Sequence, residues 1–299
     1  MSLYGGVEGG GTKFLCLVGS DPNHILTEAA IPTTTPDETI GHVIDFFLKV
    51  NEKSSITAIG VGCFGPLDLD RTSPSFGYIT NTPKPGWADT DLVGRIGRAS
   101  GLPIVFDTDA NAAALGEATW GAAQGLDNIL YLTVGTGIGG GVIISGRPLH
   151  GLIHPEIGHM RVPHDWMKDP FPGSCPSHSD CLEGLASGPA LLKRWGVPGE
   201  LLPANHEAWA LEAQYVATGL TNVICAMSPQ RIILGGGVMK HAELFGMIRS
   251  KIRELMNGYL YHELLQDKIA EYVIPPKLGK RSGVLGAMAL AKRAFGSWI

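Results

Sequence analysis

Ile129-Leu130-Tyr131-Leu132-Thr133-Val134-Gly135-Thr136-Gly137-Ile138-Gly139-Gly140-Gly141-Val142-Ile143-Ile144-Ser145 joins two apolar, β-branched runs through a cluster of glycines. Gly135, Gly137 and Gly140 fit the dinucleotide spacing G-x-G-x-x-G. That fingerprint needs a strand before the turn and a helix after it, because the helix N-terminus holds the pyrophosphate. Gly141–Ser145 has strand composition and no helical spacing, so the dinucleotide reading is rejected. The stretch reads instead as strand, glycine turn, strand. Glycines let several backbone N–H groups face one polyphosphate with no Cβ in the way. Thr136 adds a hydroxyl.

The same pattern opens the chain. Tyr4–Glu8 and Lys13–Val18 read as strands around Gly9-Gly10-Gly11. Gly10 and Gly11 offer bare backbone, Thr12 a hydroxyl and Lys13 a cation. Glu8, at the end of the first strand, is placed to hold Mg²⁺ through water. A third cluster, Gly235-Gly236-Gly237, follows the apolar run Ile232–Leu234 and leads into a predicted helix. It suits adenine or ribose lying against backbone. No G-K-[ST] occurs, which excludes a Walker A loop.

Between these turns the spacing predicts helices over Asp37–Val50, Ala110–Gly121, Gly188–Arg194, Glu207–Met227 and Ser282–Phe295, and strands over Ile56–Phe64 and Ile104–Asp107. Strands interleaved with helices predict an α/β fold. One strand–glycine–strand unit in each half predicts two similar lobes. The expected boundaries are 1–118 plus 284–299 for a small lobe and 119–283 for a large one. The chain has 299 residues, 44% hydrophobic and 17% charged, with net charge −5 and no Lys/Arg cluster. Nucleic acid is thereby excluded as a partner. With no leader pattern at the start of this sequence and no apolar run long enough to span a bilayer, no membrane association is expected. Cys16, Cys63 and Cys225 lie in apolar runs and read as core, and a reducing cytoplasm is the expected location.

Cys175, His178 and Cys181 fall within seven residues of an irregular Pro/Ser-rich segment, and His159 lies sixteen residues upstream of Cys175. Together they make a Cys₂His₂ set suited to structural Zn²⁺, which can order a loop that lacks apolar surface. The alternatives are a Cys175–Cys181 disulfide, disfavoured inside the cell, or plain loop residues. Glu156 and Glu183 flank the set, and ordering the metal would bring them together. Paired carboxylates accept hydrogen bonds from vicinal hydroxyls, as sugar recognition requires. Asp107-Thr108-Asp109-Ala110-Asn111 enters a helix. One acid there suits deprotonation of an attacking hydroxyl and the other suits helix capping.

These pieces together resemble the ROK family of repressors, open-reading-frame proteins and sugar kinases, over nearly the whole chain. The resemblance is carried by Glu8–Lys13, Gly62-Cys63-Phe64-Gly65-Pro66, Asp109–Glu117, Thr133–Gly139, Glu156-Ile157-Gly158-His159, Cys181-Leu182-Glu183 and Leu234–Gly237. It implies an actin-like, hexokinase-type (ribonuclease H-like) two-lobe α/β fold with a cleft between the lobes. It implies a small-molecule sugar substrate, ATP and Mg²⁺, and a homodimer. Asp109 matches the catalytic base. Glu156, His159 and Glu183 match positions that contact sugar, His159 while bound to zinc. Two departures stand out: Glu8 replaces the usual Asp, and Thr108 stands where glucose-type members carry Asn. With the stretches Gly77–Trp87 and Cys181–Pro189, they look most like the fructokinase branch, which tends to accept mannose as well. A repressor reading would need a helix-turn-helix before the first phosphate strand, and the expectation is that none is present.

Overall fold

The computed structural model describes residues 2–295. Its described residues divide into two compact units: 2–125, 141–155 and 277–295 form the first, and Leu126–Gly140 with Glu156–Pro276 the second. The expected boundaries lay at 118/119 and 283/284. The units differ from that scheme chiefly by taking 141–155 into the first unit, and residues 296–299 of the expected small lobe lie outside the described residues. Segment 141–155 is fastened there by packing. An ideal Cβ on Gly141 would stand 1.9 Å from the Ala110 carbonyl oxygen, and His154 Nε2 accepts from Leu67 N–H.

In the first unit, β1 (Leu3–Gly9), β2 (Lys13–Asp21) and β3 (His24–Pro32) form an antiparallel meander. Helix α1 (Pro36–Asn51) follows, capped by the Thr35 hydroxyl and opened by Pro36. β4 (Ile56–Cys63) adds in parallel to β1. A two-residue ladder pairs β5 (Tyr78–Ile79) with β6 (Thr90–Asp91), and α2 (Leu92–Ser100) leads to β7 (Ile104–Thr108), parallel to β4. The sheet order is β3-β2-β1-β4-β7. The interior strand β4 is buried at nearly every position because both faces are covered, whereas edge strand β3 alternates. Phe14, Phe47, Ile59, Trp87, Leu92 and Ile96 anchor the core. Each such side chain contributes roughly 1.5–3 kcal/mol by burial.

Helix α3 (Asp109–Trp120) starts directly at the end of β7 and is buried from Ala110 to Glu117. In the second unit β8 (Ile129–Val134) enters the glycine turn and β9 (Ile138–Ile144) leaves it, so a strand does follow the glycines. The unit boundary falls inside β9, and β10 (Arg147–Pro148) pairs with its end. Then come α4 (Leu182–Ala186), α5 (Gly188–Trp195), α6 (Ala208–Met227), β11 (Arg231–Gly235), α7 (Leu244–Met256), α8 (Ile269–Tyr272) and β12 (Val273–Ile274). The second sheet runs β10-β9-β8-β11-β12, with β11 parallel to β8. The third glycine cluster does not pass straight into a helix as expected. A 3₁₀ turn, Val238–Lys240, intervenes before α7. The last described element, α9 (Ser282–Phe295), lies in the first unit and packs on α3 at backbone distance. A Cβ on Gly286 would stand 1.7 Å from the Ala112 carbonyl oxygen, so only glycine permits that approach.

No helix among the described residues is long and apolar enough to cross a membrane.

Candidate active site and metal centre

In the first unit, the hairpin of β1 and β2 closes through Gly10 N–H donating to the Lys13 carbonyl, 3.0 Å. Thr33 braces the turn by donating its hydroxyl to the Gly10 carbonyl, 2.7 Å. Gly11, Thr12 and Lys13 are exposed, and a Cβ on Gly11 would meet nothing within 4 Å. The turn therefore presents open backbone, a hydroxyl and an ammonium together. Lys84 adds a second ammonium, donating to the Gly11 carbonyl at 2.6 Å. It sits three residues before Trp87, a buried anchor stacked on Phe14. Lys84 has no signature in the sequence, because a lone lysine in a loop carries no spacing signal.

Glu8 and Asp109 belong to the same electrostatic site. Burial, and next the negative charge of Asp109, push Glu8 up to about 7, partly offset by the Val284 N–H and by Lys13. Its Oε2 is buried with no hydrogen-bond partner, an arrangement that suits a cation. The site is also cut to length: a Cβ on Gly283 would stand 2.3 Å from the Glu8 carboxyl carbon. Asp109 accepts from Ala110 N–H at 2.8 Å, and burial raises its carboxyl above the ordinary value. One acid of Asp107 and Asp109 was expected to cap α3. The cap is Thr108, whose hydroxyl accepts from Asn111 N–H at 3.0 Å. That leaves the Asp109 side chain free of capping duty.

In the second unit the structure brings together the glycine turns at 135–137 and 235–237. The ideal Cβ position of Gly135 lies 3.6 Å from Gly237 N, and Gly188 N–H donates to the Gly135 carbonyl at 2.7 Å. Gly236 has φ +98°, and a Cβ there would stand 2.2 Å from the Val134 carbonyl oxygen. Gly236 and Gly237 are exposed. Glu183 reaches the second turn: its Oε2 accepts from Ile138 N–H at 2.9 Å.

The four candidate ligands converge. His159 Nδ1, Cys175 Sγ, His178 Nδ1 and Cys181 Sγ lie within 4.8 Å of one another. Cys175 Sγ is 3.7 Å from His159 Nδ1 and 3.7 Å from His178 Nδ1, and Cys181 Sγ is 3.6 Å from His159 Nδ1. The two imidazole nitrogens are 3.3 Å apart. Tetrahedral zinc with ordinary bond lengths requires sulfur–nitrogen edges of about 3.6 Å and nitrogen–nitrogen edges of about 3.3 Å. The donor set and its spacing therefore fit that ion. Glu156 Oε2 stands 4.0 Å from His159 Nε2, the ring nitrogen left over. The loop closes tightly, since a Cβ on Gly184 would stand 1.8 Å from the Ser179 carbonyl oxygen.

A clasp at the edge of this loop has no local sequence signature. Buried Asp169 accepts from Arg194 Nε and Nη2, both 3.1 Å, and from the Tyr215 hydroxyl, 2.6 Å. His164 Nε2 sits 2.9 Å from the Asp169 carbonyl oxygen. A bidentate buried pair of this kind is specific in geometry. Its members are far apart in sequence, so no local motif marks them.

Residues 4–294 match the sequence profile of the ROK family. The chain is similar to a fructokinase of Zymomonas mobilis, 46% identical over 98% of this chain and 97% of that one. It is also similar to a fructokinase of Pediococcus pentosaceus, 42% identical over 98% and 99%. Among solved structures it resembles a ROK hexokinase from Thermus thermophilus, with TM-score 0.80, 29% identity and 98% of both chains covered. A ROK family glucokinase from Streptomyces griseus, in complex with glucose and AMPPNP, gives TM-score 0.78 and 27% identity over 98% of this chain and 100% of that one. The expected actin-like sugar-kinase fold is therefore the fold observed. This chain belongs to the ROK family.

Proposed function

We propose that this protein is an ATP- and Mg²⁺-dependent kinase that converts fructose to fructose 6-phosphate and accepts mannose more weakly. The observation that carries the reading is Asp109: a carboxylate at the joint of β7 and α3, relieved of capping by Thr108, with its proton affinity raised by burial. The fructokinase relatives, similar over nearly their full length, support the choice of sugar.

In this reading Asp109 takes the proton of the sugar O6 hydroxyl as O6 attacks the γ-phosphorus and the bond to the β-phosphate oxygen breaks. Gly10, Gly11 and Thr12 in one turn, and Gly135, Thr136 and Gly137 in the other, give N–H and hydroxyl donors to the phosphates, with Lys13 as cation. Gly235, Gly236 and Gly237 leave room for the nucleoside. Glu8 holds Mg²⁺ through water, and the ion supplies neutralisation of phosphate charge. Thr108, Glu156, His159 and Glu183 orient the sugar. His159, Cys175, His178 and Cys181 bind Zn²⁺, which orders the loop between them. A homodimer in the cytoplasm completes the proposal.

The test is ADP release by the zinc-replete protein with MgATP and fructose, mannose, glucose, N-acetylmannosamine or N-acetylglucosamine. Turnover strongest on fructose is expected. Turnover mainly on glucose or an amino sugar overturns the substrate, and none on any sugar overturns the kinase in favour of a sugar sensor.

A further inference from the structure

His150 has no role in the site described above, yet its ring is held by the strand end that leads to Asp109. Its Nε2 stands 3.0 Å from Asp107 Oδ2; the Asp107 side chain is 3% exposed and that of His150 44%. Asp107 gives its other oxygen to Thr108 N–H and to Asn111 Nδ2, each at 2.8 Å. Asn111 Oδ1 in turn accepts from Val142 N–H at 3.1 Å. One buried carboxylate thus ties the turn 107–109, the first turn of α3 and the segment carrying Val142 and His150.

We propose that His150 is a positioning residue for phosphoryl transfer: paired with Asp107, it fixes the turn that presents Asp109. The proposal rests on Asp109 being the base. Without His150, a buried carboxylate oxygen loses its partner, and such a group rotates, protonates or admits water. Any of these shifts the 107–109 backbone, and a small displacement of a base is costly to rate but not to substrate binding.

Two titratable groups face His150. Asp107, from β7, raises the imidazole above its ordinary value by hydrogen bond and charge. His154, on the same segment, is pushed down by burial and accepts from Leu67 N–H at 3.1 Å, so it adds no positive charge near neutrality. The sign follows. The ion pair is complete below pH 6.5, the ordinary imidazole value, and is lost as pH rises through the raised value in the folded protein.

The experiment compares His150→Ala and His150→Gln in the full chain. His150→Ala is expected to lower kcat about tenfold with KM for both substrates within about twofold. His150→Gln, which keeps a donor for Asp107 that cannot titrate, should recover to within about threefold of the parent and lack its alkaline decline in kcat. Amide exchange at residues 108–112 should be about fivefold faster in the alanine variant and restored in the glutamine one. Unchanged exchange in His150→Ala, or kcat within twofold with the same pH profile, overturns the proposal. A parent protein that turns over no sugar sinks the kinase reading instead, and exchange alone then decides whether the pair fixes the turn.

Discussion

The turn that presents Asp109 sits between a parallel edge strand, β7, and a helix buried from Ala110 to Glu117, whereas the segment carrying Cys175, His178 and Cys181 has almost no regular structure. The first is ordered by sheet and helix packing, with Thr108, Asn111 and Asp107 locking its backbone. The second has a clasp at Asp169 and Arg194, a short backbone pairing of Cys175 with Ser179, and its four converging ligand atoms. Chemistry at the first should be separable from folding, and chemistry at the second should not. Asp109→Asn tests the first half. Its amide oxygen can still accept from Ala110 N–H, so unfolding free energy should stay within about 1 kcal/mol of the parent. Losing the base should lower kcat by about 10³-fold or more. Near-normal turnover would remove Asp109 from the mechanism.

Removing the metal tests the other half. A chelator strong enough to strip zinc, or Cys181→Ser, should lower the melting temperature and open residues 163–180 to protease while leaving α3 protected from exchange. Metal analysis of the untreated protein should give about one zinc per chain, the stoichiometry of a single tetrahedral site. Metal-free protein with an unchanged melting curve would mean that the clasp at Asp169 suffices to hold the loop.

The two kinds of glycine turn sharpen the contrast further. Gly236 has φ +98° and no room for a Cβ, while Gly11 faces open space. Gly236→Ala should therefore destabilise the protein by about 2–4 kcal/mol. Gly11→Ala should change stability by less than about 1 kcal/mol, yet raise KM for ATP if open backbone there serves the phosphates. Equal losses of stability at both positions would erase the distinction between a glycine kept for packing and one kept for access.

How much of this the sequence reveals follows the same division. The glycine turns and the cluster Cys175, His178 and Cys181 were legible because each lies in a short stretch with fixed spacing, whereas spacing left Asp107 and Asp109 equal and only the family resemblance singled out Asp109. Strand β3 and helix α2 were missed. β3 is an edge strand whose polar and apolar residues alternate weakly, and α2 carries Gly94 and Gly97 inside its span, which weakens its helical signal. Thr108 as the cap of α3 was hidden between two acids that are equally good caps by type. His150, Asp169 and Arg194 matter through partners distant in sequence, and contacts of that kind leave no local trace.

The last expected effect concerns a buried carboxyl group with no hydrogen-bond partner. Glu212 on α6 is 1% exposed, and neither carboxylate oxygen has a hydrogen-bond partner. Burial raises its carboxyl well above the ordinary value, with the Arg194 charge opposing. A raised value in the folded state means the native protein holds this proton after the unfolded chain has released it. Stability is therefore unaffected below the ordinary glutamate value of 4.5 and declines as pH rises from there toward the folded value. Glu212→Gln keeps the shape and removes the titration. It should raise the melting temperature at pH 8 and leave it nearly unchanged at pH 4.5. A variant equally stabilised at both values would trace the gain to packing, and one destabilised at pH 8 would mean that the Glu212 charge is native and paired with Arg194. In that case the clasp around Asp169 extends one helical turn further along α6.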